Sequence, residues 1–160
     1  MTAMDVTRNR ALHAVALLSS GALVGALYLQ HALDWQPCPL CILQRLAFIG
    51  CAVLAVAALA ARRGVWFRLF QVSTAVVALC GVAVALRHLW VKAHPAVSCG
   101  IDPLETAINT QWWVQQLPWL LKADGLCFIP LPPLLGLQLP VWSVIFLSGF
   151  AVLAVLHRPA

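Results

Sequence analysis

The chain has 160 residues, 62% of them hydrophobic and only 9% charged, with a formal net charge of +5. That balance excludes an ordinary water-soluble domain, so a core of this length has to be built against lipid. The excess of positive charge is no nucleic-acid surface either, because no basic stripe with interleaved aromatics occurs outside the apolar stretches.

Four stretches are apolar enough to cross a bilayer, at about 11–33, 42–61, 65–87 and 137–156. A span needs about 20 residues, each rising 1.5 Å, to cover roughly 30 Å of hydrocarbon. The first stretch follows Arg8 and Arg10 but is longer than the apolar run of a signal peptide. No small-residue cleavage site followed by polar sequence succeeds it, and it is read as a retained helix. It contains Gly21-x-x-x-Gly25, a surface that lets another helix approach closely. In the loop that follows, 34–41, Pro37 and Pro39 bracket Cys38 and hold the backbone out of helix until about Leu40. The second span then runs to a tight turn at 62–64, and the third runs back to Arg87-His88-Leu89-Trp90.

The region 88–136 is the sizeable loop. Leu104, Ile108, Trp112, Trp113, Leu117, Leu120 and Leu121 recur at spacings of three and four, with polar residues between, which predicts an amphipathic helix that Pro118 ends or kinks. Its tryptophans suit the headgroup layer. The stretch from Lys122 to Pro133 carries turn signals and three prolines, so Cys127 is expected on an irregular, movable segment. Pro140 is tolerated in the first turn of the fourth span.

Lys and Arg set the orientation. Arg8, Arg10, Arg62, Arg63, Arg68 and Arg158 fall on one side, which is the cytoplasmic one by the positive-inside rule. Lys92 and Lys122 share the other with Asp34, Asp102, Glu105 and Asp124. The expectation is an all-α membrane protein, one domain over residues 1–160. It is a four-helix transmembrane bundle with both termini cytoplasmic and a long outer loop carrying an amphipathic interfacial helix.

That orientation sorts the six cysteines. Cys38, Cys41, Cys99 and Cys127 lie outside, where disulfides form and persist. Cys51 and Cys80 lie mid-span, as small packing residues. Cys38-x-x-Cys41 sits at a helix start, where unpaired N–H groups and the helix dipole favour a thiolate on Cys41. Arg45, four residues on, shares that helix face and its charge is permanent. His88, at the same depth if the spans pack together, offers a hydrogen bond or a proton path. Arg87 reads as an anchor and His31 as structural. Cys99 and Cys127 are either a staple worth roughly 3–4 kcal/mol or a second redox pair. A zinc site needs two close-spaced ligand pairs and the second pair is not close-spaced. With no His/Glu cluster and no Gly-rich dinucleotide fingerprint, no metal site is expected.

Gln36-Pro37-Cys38-Pro39-Leu40-Cys41-Ile42-Leu43-Gln44-Arg45 resembles the redox motif of the disulfide-bond formation protein B (DsbB) family. Cys99 and Cys127 in one long outer loop, Leu135-Gly136-Leu137-Gln138-Leu139-Pro140-Val141-Trp142 entering the last span, and the four-span layout carry the likeness over nearly the whole chain. The resemblance implies a quinone-dependent thiol:disulfide oxidoreductase of the bacterial inner membrane, multi-pass, with its redox loops facing the periplasm. A periplasmic DsbA-like thioredoxin-fold protein would attack Cys99. Cys127 would then pair transiently with Cys38, leaving Cys41 to reduce ubiquinone or menaquinone drawn from the membrane lipid. Arg45, His88 and Cys41 match the quinone-site positions, and the resting pairs would be Cys38–Cys41 and Cys99–Cys127. The vitamin K epoxide reductase group is similar in coupling loop cysteines to a C-x-x-C beside a quinone, but there the loop pair precedes the motif. A non-catalytic scaffold with disulfide-stapled loops is the remaining reading, and it leaves Arg45 unexplained.

Overall fold

The structure is a computed structural model that describes residues 3–61, 64–94, 103–127 and 132–156. Among these described residues seven helices follow in chain order: α1 Ala3–Ala32, α2 Pro39–Ala61, α3 Val65–Ala93, α4 Pro103–Asn109, α5 Trp112–Gln116, α6 Pro118–Leu121 and α7 Leu139–Leu156. Among the described residues there is no strand, only an isolated bridge between Leu134 and Leu137. The chain is an all-α membrane bundle.

Helices α1, α2 and α3 are each long and apolar enough to span a bilayer, while α7 has 18 residues. At 1.5 Å per residue α7 covers about 27 Å, just short of a typical hydrocarbon core. The helices are apolar all round because one face meets the bundle and the other meets lipid. Thus Leu17, Val24, Val53, Val56, Trp66 and Val76 are exposed on the outside of the bundle. Inside, the seam is built mostly from small residues: Ala47, Cys51, Ala55, Ala58, Ala78 and Ala151 pack around Phe48, Phe67, Leu147 and Phe150. Small side chains let backbones approach where lipid supplies no hydrophobic drive between helices. Gly81 of α3 shows how close the approach is, since a Cβ there would lie 2.7 Å from Ala47 Cβ and 2.8 Å from Leu147 Cδ1.

Helix α2 packs along α1 and α3, and α3 packs along α7. The short α1–α2 and α2–α3 connections make successive spans antiparallel. The end of α1, the start of α2, the end of α3, the short helices α4–α6 and the start of α7 therefore gather at one rim.

Several details differ from the sequence reading. Helix α3 continues to Ala93, six residues past the expected end of its span, because nothing from Arg87 to Ala93 interrupts it and Pro95 comes only later. The amphipathic stretch is three short helices, not one. Thr110 Oγ1 donates back to Thr106 O at 2.8 Å and Thr110 marks the break, while Pro118 opens α6. Gly21 and Gly25 have nothing within 4 Å of a would-be Cβ, so none of the described helices packs on that surface. Cys51 is buried in the seam as expected, but Cys80 is exposed on the outer face of α3.

Candidate redox site at the rim of the bundle

Cys38 is the residue that starts α2. Its carbonyl accepts the first helical bond, from Ile42 N at 3.0 Å, and Pro39 follows at the position where a missing N–H costs nothing. The Cys38 sulfur takes the role an N-cap oxygen usually plays, accepting from Cys41 N–H at 3.3 Å. This capping geometry brings the two thiols together, with the Cys38 thiol donating to Cys41 Sγ at 3.0 Å. The two sulfurs of the Cys38-x-x-Cys41 motif are thus within exchange distance of each other at the head of α2.

His88 reaches the same point from α3. Its Nε2 lies 3.8 Å from Cys38 Sγ, and its Nδ1 is 3.1 Å from Gln44 Nε2. Gln44 stands one turn below Cys41 on α2, and both it and His88 are buried. An amide donating to Nδ1 leaves the proton of a neutral imidazole on Nε2, facing the sulfurs. Sequence reasoning named His88 and missed Gln44, although the spacing from Cys41 to Gln44 placed them on one helix face.

Cys127 arrives from the far side of the long loop and is buried against Cys38, Leu40 and Val91. Its segment is fastened, not loose. Asp124 N and Gly125 N both donate to Pro37 O, at 3.1 and 3.0 Å. Asn109 exchanges two hydrogen bonds with Ala123, its Nδ2 donating to Ala123 O at 2.8 Å and its Oδ1 accepting from Ala123 N at 2.9 Å. Gly125 permits this docking, since a Cβ on it would sit 2.2 Å from Gln36 O. The Asp124-Gly125 turn signal was legible in the sequence, but its docking partner was not. Hydrogen bonds to the Cys127 side chain first and to Cys41 second, with burial adding to them, hold the Cys38 thiol well above the usual thiol range. Cys99 lies outside the described residues.

A cleft opens between these segments, lined by Gln36, Cys38, Cys41, His88, Lys92, Leu126, Cys127, Leu139 and Pro140. It has apolar walls from α7 and the loop, sulfur at its floor and two basic side chains from α3. Lys92 is one turn beyond His88 and enters the site because α3 runs on past Trp90. Arg87, by contrast, points outward and stacks over Trp90 at 4.4 Å, an interfacial anchor.

Arg45 is not among the residues that line the cleft. It is buried, and its guanidinium turns toward α1 and α6. Nη1 donates to Gln30 Oε1 at 2.6 Å and to Leu120 O at 2.8 Å, and Nη2 donates to Ala26 O at 3.3 Å. Gln30 Nε2 in turn donates to Trp119 O at 3.3 Å, and His31 Nε2 lies 3.2 Å from the same oxygen. A buried charge bonded to neutral acceptors ties the loop helices to the bundle. Arg45 stands four residues beyond Cys41 on the same helix, and its charge is permanent.

A family model described as "Disulfide bond formation protein DsbB" matches residues 8–157. The chain is 46% identical over 141 residues to "Disulfide bond formation protein B" of Herminiimonas arsenicoxydans, covering 88% of this chain and 89% of that protein. It is 45% identical over 135 residues to the Cupriavidus necator protein of the same name, covering 83% of this chain and 81% of the relative. The Pseudomonas syringae pv. tomato protein of that name is 44% identical over 134 residues, covering 82% and 76%. With its capped dithiol, docked loop cysteine and four-helix bundle, the chain belongs to the DsbB family of disulfide bond formation proteins.

Proposed function

We propose that the protein is the quinone-dependent thiol oxidase that regenerates a periplasmic DsbA-like thioredoxin-fold protein at the bacterial inner membrane. The observation that carries this reading is that one cleft gathers Cys38, Cys41 and Cys127, from segments 86 residues apart, beside His88 and the apolar Leu139 and Pro140. Exchange needs each sulfur to reach the next, and the contact between Cys38 and Cys127 is the link between loop and bundle. In the relay, the partner's thiolate opens a Cys99–Cys127 disulfide at Cys99, and Cys127 attacks Cys38 of an oxidised Cys38–Cys41 pair, freeing Cys41. The partner leaves with its own two cysteines joined, releasing Cys99, whose thiolate retakes Cys127 and frees Cys38 to rejoin Cys41 as the quinone is reduced. Two electrons and two protons per turnover pass to the quinone, which supplies the oxidising power. A DsbA-like protein sits near −120 mV, so only a more oxidising sink serves it.

The cleft suits a quinone ring chemically, since Leu139 and Pro140 give an apolar wall, and His88 and Lys92 are donors for a ring oxygen that gains negative charge. Arg45 acts from one turn below, through its field and by fixing α6, and not by lining the cleft. The rim carrying the site faces the periplasm on the positive-inside count.

The test uses purified protein in detergent with quinone and a reduced thioredoxin-fold dithiol, following quinone reduction. Serine in place of Cys38, Cys41, Cys99 or Cys127 is expected to abolish turnover, while Cys51→Ser and Cys80→Ser leave it near normal. Arg45→Ala is expected to raise the quinone KM. Undiminished turnover without Cys127 would refute the relay.

A further inference from the structure

Cys38, Cys41 and His88 have a second chemical property that thiol oxidation does not use. Their Sγ, Sγ and imidazole nitrogen atoms all lie within 4.8 Å of one another, on two different helices. A tetrahedral ion with metal–sulfur bonds of about 2.3 Å and metal–nitrogen bonds of about 2.0 Å sets its ligand atoms about 3.5–3.8 Å apart. Cys38 Sγ to His88 Nε2 is 3.8 Å, about 0.3 Å longer than the sulfur–nitrogen edge of that tetrahedron. Cys38 Sγ to Cys41 Sγ is 3.0 Å, and opening it to about 3.8 Å takes one side-chain rotation.

We propose that the fully reduced site is a thiophilic metal site, in which Cys38, Cys41 and His88 hold a d10 divalent cation such as zinc or cadmium. Three further features favour it. Two cysteines separated by two residues at a helix start are half of a common zinc arrangement. The Cys41 N–H that donates to Cys38 Sγ at 3.3 Å supports a metal-bound sulfur, as it supports any sulfur carrying negative charge. Gln44 supplies the outer partner that metal-bound histidines need. With its amide turned over, Oε1 accepts from Nδ1–H and the Nε2 lone pair is free for the ion. The fourth position faces the cleft.

Lys92 also lines that cleft. Its charge opposes a bare cation, but two thiolates neutralise a divalent ion, so the occupied site adds no net charge there. No electrons move on binding. Each cysteine releases its S–H proton to solvent as its bond to the metal forms. Occupancy holds both sulfurs as metal thiolates and takes them out of exchange chemistry. The assignment stands apart from the oxidase reading, because binding requires neither quinone nor partner.

The experiment uses the full chain in detergent, carrying Cys51→Ser, Cys80→Ser and Cys99→Ser, reduced and freed of reductant under argon. Cobalt(II) is titrated in, and the thiolate-to-metal charge-transfer and tetrahedral d–d bands are read. The expected result is saturation at one cobalt per chain, displacement by zinc, and loss of the bands when the same sample is oxidised to the Cys38–Cys41 disulfide. His88→Ala and Gln44→Leu are each expected to weaken binding by about 10–100-fold. Absence of tetrahedral bands, bands that survive oxidation, or an affinity unchanged by His88→Ala would each overturn the assignment. The oxidation arm compares one folded chain with itself, so a variant that misfolds does not decide the outcome.

Discussion

Gly125→Ala places a methyl group where Gln36 O stands, at 2.2 Å. Restoring ordinary contact at 3.4 Å requires the Asp124–Gly125 segment to retreat by about 1.2 Å, because the opposing atom is backbone and cannot rotate away. The two hydrogen bonds to Pro37 O, at 3.1 and 3.0 Å, then lengthen past the usual limit. At about 0.5–1.5 kcal/mol for each, docking of the Cys127 segment loses about 1–3 kcal/mol. That lowers the population with Cys127 beside Cys38 by about 5–150-fold. The assay uses a chain in which Cys38 and Cys127 are the only cysteines, with the rate of their cross-linking by a mild oxidant followed on non-reducing gels. Gly125→Ala is expected to slow it by that factor, and Gly21→Ala, with open space around it, is expected to leave it unchanged. Cross-linking of Gly125→Ala at the parent rate would refute the account of how the loop is held.

Gln30→Leu removes the 2.6 Å acceptor of Arg45 and a donor to Trp119 O. The loss is about 1.5–3 kcal/mol for a bond to a charged group, read as a drop of about 3–12 °C in Tm in detergent; an unchanged Tm contradicts the clamp. The Cys38 thiol is held above the usual range, so its alkylation is expected to set in at higher pH than that of an ordinary thiol. Cys127→Ala is expected to move that onset to lower pH, and a profile that does not move removes Cys127 from the cause. Gly81→Val drives a side chain into Ala47 and Leu147 and is expected to cost about 1–3 kcal/mol by overpacking, whereas a full-length chain of unaltered Tm would show that α2, α3 and α7 are less closely packed.

Much of this protein was legible without coordinates. Twenty-residue apolar runs, a majority of basic residues on one side and a dithiol at a helix start are local or one-dimensional properties, and lipid leaves a chain few other ways to satisfy its backbone. These determined the bundle, its spans and the cysteines at its rim. Boundaries were less secure, since hydropathy ends where Arg87 begins but helical geometry does not stop there, and those added turns bring Lys92 into the cleft. Only the tertiary structure decided what touches what. The turn of Arg45 toward Gln30 and Leu120, the pairing of Gln44 with His88, and the seating of Gly125 on Gln36 each depend on two segments meeting across the fold. Periodicity places a side chain on a face of its own helix, but it cannot say which acceptor the neighbouring segment presents. The direction of a buried guanidinium follows from that acceptor, because a desolvated charge goes where its hydrogen bonds are met.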